Sequence, residues 1–373
     1  MKNKKLLTLL TLACTLTTGV SADLDLANLE TNEPGCALGI VDGNELVLES
    51  YNGLASIRYD VPITANTSFD IGSISKHITA AVFFQLEKQG LVNRDDLLSK
   101  YYPDGPSWFK NITLAQLITH RSGIPDYLND EEFSAQLLPM LGADAALIGG
   151  LVFGKPMTNA IVVDTVLKGL SSLTEPYALP EGTSRYSNTG YLLLAHVLEM
   201  AAKKPFPLLA EEIIFIPNGM THSYVSGFST AQTKNTATGY EKSADGYQAL
   251  HDNLAAYGHG AVVTTVQDFA KWMSVLLNST NETSPWFGFL QDPEQLPLPK
   301  LGYAFYGNGL GISDYSGWFY EHAGLSIDGM ASYFWLLPQE DIGYVQMCNS
   351  EASIQARNYE VIRWVFDRRA KAE

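Results

Sequence analysis

Phe69-Asp70-Ile71-Gly72-Ser73-Ile74-Ser75-Lys76 stands directly before a long apolar helical run, and its reading decides the fold. Helix positions three apart share a face, with about 5–6 Å between their Cβ atoms. Ser73 and Lys76 held in that way make a nucleophile and a base. A serine hydroxyl is a weak nucleophile until a neighbour takes its proton. A lysine fills that role when burial or nearby charge lowers its pKa. Ser-x-x-Lys is also an ordinary helix surface pair, so the stretch takes its meaning from the rest of the chain. Apolar residues at 78, 81, 82, 83 and 86 carry the helical period to about Lys88, and Gly90 offers its stop.

On the N-terminal side, the apolar runs 37–41 and 46–51 flank Asp42-Gly43-Asn44, a hairpin signal. The C-terminal side turns to strands at 318–322, 331–337 and 342–347, with Pro338-Gln339-Glu340-Asp341 between the last two. Residues 355–368 close as an amphipathic helix. Between these ends the pattern is helical. A short helix over 113–119 is stopped by Ser122-Gly123-Ile124-Pro125, and a stronger one follows at 191–202. Thr264-Thr265-Val266-Gln267-Asp268 resembles a capping box opening a helix through Leu277. A glycine-punctuated stretch from 127 to 179 includes the apolar segment 140–153. That segment is too short and broken to span a membrane and reads as core or as the wall of a cleft. The expectation is an α+β fold: an antiparallel sheet built from both chain termini, flanked by helices, with a mostly helical insertion. The sheet part comprises about 23–85 and 300–373, and the helical part about 86–299.

Lys2, Lys4 and Lys5, the apolar run 6–16 and Val20-Ser21-Ala22 have the layout of a secretory signal peptide over residues 1–22. The expectation is export to the periplasm or the outside of the cell. A lipid anchor on Cys14 is the alternative, with Thr11 standing where such signals want an aliphatic residue. The 373-residue chain carries a formal charge of −16, and removal of three lysines makes it more acidic. Such a chain has no electrostatic case for nucleic acid. Cys36 and Cys348 remain after cleavage, each in a strand-like apolar segment. Export permits a bridge between them, yet two buried thiols is the reading the sequence favours. The seven histidines (77, 120, 196, 222, 251, 259 and 322) form no His-Glu-x-x-His or His-x-His pattern, so neither metal nor cofactor is expected.

Two further segments bear on Ser73 and Lys76. Arg185-Tyr186-Ser187-Asn188 precedes the helix at 191–202. In an extended segment Tyr186 and Asn188 point to one side. A phenol near a lysine ammonium shuttles protons, and an asparagine both donates and accepts. The same tetrapeptide also reads as a turn leading into the helix, with Asn188 as its cap. Glu321-His322-Ala323-Gly324 ends a strand where a substrate backbone has room to lie, leaving the Leu325 N–H to donate. With the Ser73 N–H it would form an oxyanion hole.

The set Ser-x-x-Lys, Tyr-x-Asn and His-x-Gly resembles that of serine β-lactamases and penicillin-binding proteins. The Tyr186-Ser187-Asn188 form resembles the class C branch, with its D,D-carboxypeptidases, D-aminopeptidases and esterases. The segments 69–76, 117–127, 186–191, 264–269 and the strand closing at Asn349 follow family order from about residue 33 to 368. The resemblance implies that Ser73 forms an acyl-enzyme while Lys76 and Tyr186 share the proton work. It also implies that Asn188 positions the substrate and that the N–H groups of Ser73 and Leu325 hold the oxyanion. His120 and Arg121 read as structural. The chain departs from the family at His322-Ala323-Gly324, where β-lactamases carry Lys-Thr-Gly to hold the antibiotic's carboxylate. A histidine is mostly neutral at pH 7, and alanine has no hydroxyl, so carboxylate capture is expected to be weak. A peptidase acting on D-amino-acid peptides therefore ranks ahead of an esterase, a weak β-lactamase and a non-catalytic peptidoglycan or penicillin binder. Gly324-Leu325-Ser326-Ile327-Asp328-Gly329 is not a nucleophile elbow, because Asp328 holds the final position, and Ser326 is not read as catalytic.

Overall fold

Strands β1 (Cys36–Asp42) and β2 (Glu45–Asn52) form the hairpin expected around Gly43, which takes a left-handed φ of 66°. In the computed structural model, described for residues 32–141, 157–180, 182–226, 235–250, 254–290, 305–314, 318–354 and 358–372, this hairpin joins five C-terminal strands. These are β3 (Phe305–Gly307), β4 (Leu310–Asp314), β5 (Trp318–Leu325), β6 (Ala331–Leu337) and β7 (Ile342–Cys348). All pairings are antiparallel, in the order β3-β4-β5-β6-β7-β1-β2. Strands from both chain ends thus meet at β7 and β1, as the sequence predicts. The signal-peptide reading of residues 1–22, the Cys14 alternative and residues 142–153 of the apolar segment lie outside the described residues.

Both faces of the sheet are covered, which explains why its strands read as nearly continuous apolar runs. Side chains alternate between the faces. Ala37, Val41, Phe334, Leu336, Val345 and Met347 join the main core, shared with helices α1 (Ser75–Lys88), α3 (Asn188–Ala202) and α4 (Val266–Leu277). Leu38, Ile40, Trp335, Leu337 and Tyr344 pack instead against Val361 and Val365 of the closing helix α5 (Asn358–Ala372). The short helix α2 (Leu114–Ile118) starts with a complete capping box between Thr113 and Gln116. Thr265 caps α4 by accepting from the Asp268 N–H, but the Asp268 carboxylate turns away to His222 N–H, Ser223 and Lys271. Among the described residues, no helix is long and apolar enough to cross a membrane.

Three expectations are corrected. Cys36 and Cys348 face each other in register across β1 and β7, with Cα atoms 4.1 Å apart, and form a disulfide rather than two thiols. Ser73 lies in a single 3-10 turn, Gly72–Ile74, that leads into α1 rather than in α1 itself. Ser187 is the N-cap of α3, accepting from the Gly190 N–H at 3.2 Å, so Asn188 is released from capping.

Candidate active site

Ser73 is presented by a turn that two glycines allow to touch the end of β5. Phe69–Asp70 pairs with Val263 and Thr264, and the Asp70 carboxylate accepts the Gly72 N–H at 2.7 Å. Gly72 has φ 52°, and a Cβ there would lie 2.7 Å from the Leu325 nitrogen. A Cβ on Gly324 would collide with the Ile71 carbonyl. The backbones flanking Ser73 and Leu325 therefore meet directly, and β5 runs on through Leu325 past the expected end at His322. Both residues line the two clefts described below.

One helical turn on, the Lys76 side chain is fully buried, and each of its ammonium hydrogens has an acceptor. Nζ donates to Ser73 Oγ at 3.0 Å, Asn188 Oδ1 at 2.7 Å and the His259 carbonyl at 2.8 Å. Burial pushes the Lys76 pKa down to about 7, opposed by the negative charge of Asp126. A lysine titrating there is present as free amine in substantial fraction at neutral pH.

The N-terminal end of α3 supplies the next two groups. Ser187 is extended (φ −147°, ψ 115°), so Tyr186 and Asn188 both reach Lys76. The Tyr186 ring centroid lies 4.7 Å from Lys76 Nζ, within cation–π range. Asn188 gives its Nδ2 hydrogens to Asp126 Oδ2 at 2.9 Å and Oδ1 at 3.2 Å. Ser73, Lys76, Tyr186 and Asn188 are thus brought into one cluster. His120, expected to be structural, packs against it, its ring 4.3 Å from that of Tyr186. Its Nδ1 accepts the Ser187 N–H at 3.1 Å, so Nε2 carries the proton.

His322 is buried. A carbonyl only accepts, so Nδ1–H donates to the Ala323 oxygen at 2.5 Å, while Nε2 lies 3.1 Å from the Tyr306 hydroxyl. Burial, with Lys76 adding to it, pushes its pKa to about 3, leaving a neutral imidazole. Ala323 and Leu325 are exposed on the other side of the strand. Among the described residues, two clefts open on Ser73 and Tyr186. One of about 200 Å³ is bounded by Asp70, Leu128, Asn129, Gly260 and Ile327. The other, of about 490 Å³, is bounded by His322, Ala323, Gly324, Ser332, Glu351 and Ile354. Among the described residues, no cluster of histidine, cysteine or carboxylate groups is arranged to hold a metal.

Sequence reasoning missed two contributors. Asp126 lies inside the family-like segment 117–127 but meets Asn188 only through the fold. The loop before Val262 is also new: Gly258 O accepts from Thr79 at 2.7 Å, His259 O from Lys76, and Ser75 Oγ from the Val262 N–H at 3.0 Å. The His259 ring, neutral through burial and the nearby Lys76, bonds the Tyr127 hydroxyl at 2.6 Å. The two glycines around His259 hint at a close approach but form no motif.

A penicillin-binding protein of Bacillus subtilis is 29% identical over 207 residues, which are 53% of this chain and 40% of that protein. The D-alanyl-D-alanine-carboxypeptidase/endopeptidase AmpH of Escherichia coli is 31% identical over 249 residues, 66% of this chain and 58% of its own length. The chain spans about half the length of the curated relatives it matches. The octameric penicillin-binding protein homologue from Pyrococcus abyssi superposes with a TM-score of 0.71 over 86% of this chain and 70% of its own, at 24% identity, a likeness of fold. A model of the Beta-lactamase family matches residues 21–364, from before β1 into α5, and on that extent the chain belongs to the Beta-lactamase family.

Proposed function

We propose that the protein is an exported serine hydrolase that works through an acyl-enzyme on Ser73. The observation that carries this reading is the 3.0 Å contact between Ser73 Oγ and a fully buried Lys76 whose pKa lies near 7. Neutral Lys76 takes the Ser73 proton as Oγ attacks the substrate carbonyl. The oxyanion forms between the N–H groups of Ser73 and Leu325, held together by the Gly72 and Gly324 contacts. The Tyr186 phenol protonates the departing amine or alcohol and draws its proton back from Lys76. For deacylation Tyr186 passes its proton to the neutral Lys76 amine, and the phenolate takes a proton from water as that water attacks the ester. Lys76 then returns a proton to Ser73 Oγ as the acid leaves. Asn188, its amide held by Asp126, fixes Lys76 through Oδ1 beside the reacting carbonyl. The Cys36–Cys348 bridge and the leader-like N-terminus support an oxidising, exported setting.

Peptides and amides of D-amino acids are the proposed substrates, of D,D-carboxypeptidase or D-aminopeptidase type. Two clefts that share Ser73, Tyr186 and Leu325 suit a chain laid across the nucleophile, and AmpH is named for such an activity. Neutral His322 and the methyl of Ala323 capture a carboxylate weakly, which within this class favours D-aminoacyl amides and D-aminopeptidase substrates over peptides whose leaving residue carries a free carboxylate. The same lining favours an esterase as the second reading, and it speaks against efficient β-lactam hydrolysis. A panel of D-Ala-D-Ala peptides, D-aminoacyl amides, p-nitrophenyl esters and nitrocefin tests the substrate class. The expected order is D-amino-acid peptides or amides first and nitrocefin last, with every activity absent in Ser73→Ala. A nitrocefin rate above all others would overturn the substrate reading, and a Ser73→Ala variant of undiminished activity would overturn the nucleophile.

A further inference from the structure

We propose that Asp126 is the positioning residue of this site, orienting the Asn188 amide and supplying the counter-charge of the buried Lys76 ammonium. The inference rests on the hydrolase reading only for its kinetic consequence. Asp126 is 4% exposed and sits in a built cradle. Its Oδ1 accepts the Leu128 N–H at 2.9 Å and the Asn129 N–H at 3.4 Å, and its Oδ2 accepts Asn129 Nδ2 at 2.9 Å. Both oxygens also face Asn188 Nδ2. A carboxylate accepts only, so it fixes which end of the Asn188 amide turns towards it. The other end, Oδ1, is thereby aimed at Lys76. With the amide reversed, NH₂ would confront the ammonium, donor against donor.

The groups facing Lys76 make the charge argument specific. Tyr186 and Tyr191 present rings at 4.7 and 5.8 Å, and Ser73, Asn188 and the His259 carbonyl present neutral oxygens. His120, His259 and His322 are buried imidazoles held below their usual pKa, partly by Lys76 itself. Among the described residues, Asp126 is the acid whose charge reaches the amine and opposes its desolvation. A buried ammonium without a counter-charge loses its proton. Lys76 would then titrate at lower pH, and the pH at which it becomes free to take the Ser73 proton would fall with it.

The test uses the full-length protein, Asp126→Asn and Asp126→Ala. Asparagine removes the charge but keeps an oxygen for Asn188, whereas alanine removes both. Lys76 is titrated directly through the Cε signals of 13C-lysine-labelled protein, assigned against Lys76→Arg. This readout stands even if no substrate is turned over, so a failure of the hydrolase reading stays separate. The wild-type midpoint is expected near pH 7. The Asn variant is expected about one pH unit or more lower, with the acid limb of kcat/KM moving down equally. The Ala variant is expected to show the same shift and, in addition, a loss of more than about tenfold on the alkaline plateau, because Asn188 is free to turn. Asp126→Ser, smaller and neutral, repeats the titration should the Asn variant not fold. A folded neutral variant whose Lys76 titrates at the wild-type pH would overturn the proposal.

Discussion

Lys76 shows how a single residue acquires chemistry from its surroundings. Taking an ammonium out of water is costly unless every hydrogen finds an acceptor. Here Ser73, Asn188 and His259 supply three, and the residual cost appears as a pKa near 7. Tyr186 is the partner whose role separates the two half-reactions. Tyr186→Phe keeps the ring over Lys76 and against His120, and removes only the hydroxyl. Turnover of an ester substrate is expected to fall by about 10²–10⁴-fold, with acylated Ser73 accumulating because the good leaving group needs no proton. Stopped-flow burst kinetics check this; an unchanged steady-state rate would leave Lys76 as sole base. At this scale the sequence was legible where spacing is local. Ser73 and Lys76 share a turn, and Tyr186 and Asn188 flank one extended residue. Asp126 and His259 were not legible, because their contacts to Asn188 and Lys76 cross 62 and 183 residues.

The end of β5 matters less for its side chains than for how closely its backbone approaches the Ser73 turn. Gly324 permits that approach, since a Cβ there would strike the Ile71 carbonyl and the Ser332 hydroxyl. Gly324→Ala is therefore expected to push β5 away from the turn and open the oxyanion hole. The loss in kcat/KM should reach about 10²–10³-fold, the scale of losing one oxyanion donor, with far-UV circular dichroism unchanged. An active Gly324→Ala variant would show that the hole lies elsewhere. The element boundaries were readable where caps are chemical, as at Thr113 and Thr265. Ser187 took the cap from Asn188 because its hydroxyl reaches Gly190, a choice between adjacent cap-formers that composition does not make.

At the scale of the whole molecule, the sheet needs residues 36–52 to meet residues 305–348, so its topology is one of distant contacts. Such pairings carry a high loop-closure cost. The Cys36–Cys348 bridge spans 312 residues and ties β1 to β7. By chain entropy, closing a loop of that length stabilises the fold by about 6 kcal/mol. The sequence placed both cysteines in strands, yet only the register of β1 against β7 sets them opposite each other. The same junction leads from Cys348 into Asn349, which binds Gly35, Leu54 and Thr238, and on to Glu351 and Ile354 in the larger cleft. The sheet that joins the chain's two ends therefore also holds a wall of the site. The central claim, an acyl-enzyme on Ser73, is tested most directly by mass spectrometry of protein quenched during turnover of a slow D-aminoacyl or penicilloyl ester-forming substrate. One added acyl mass is expected on the peptide containing Ser73, absent in Ser73→Ala. Acylation of any other residue, or turnover with no covalent species in wild type and Tyr186→Phe alike, would contradict it.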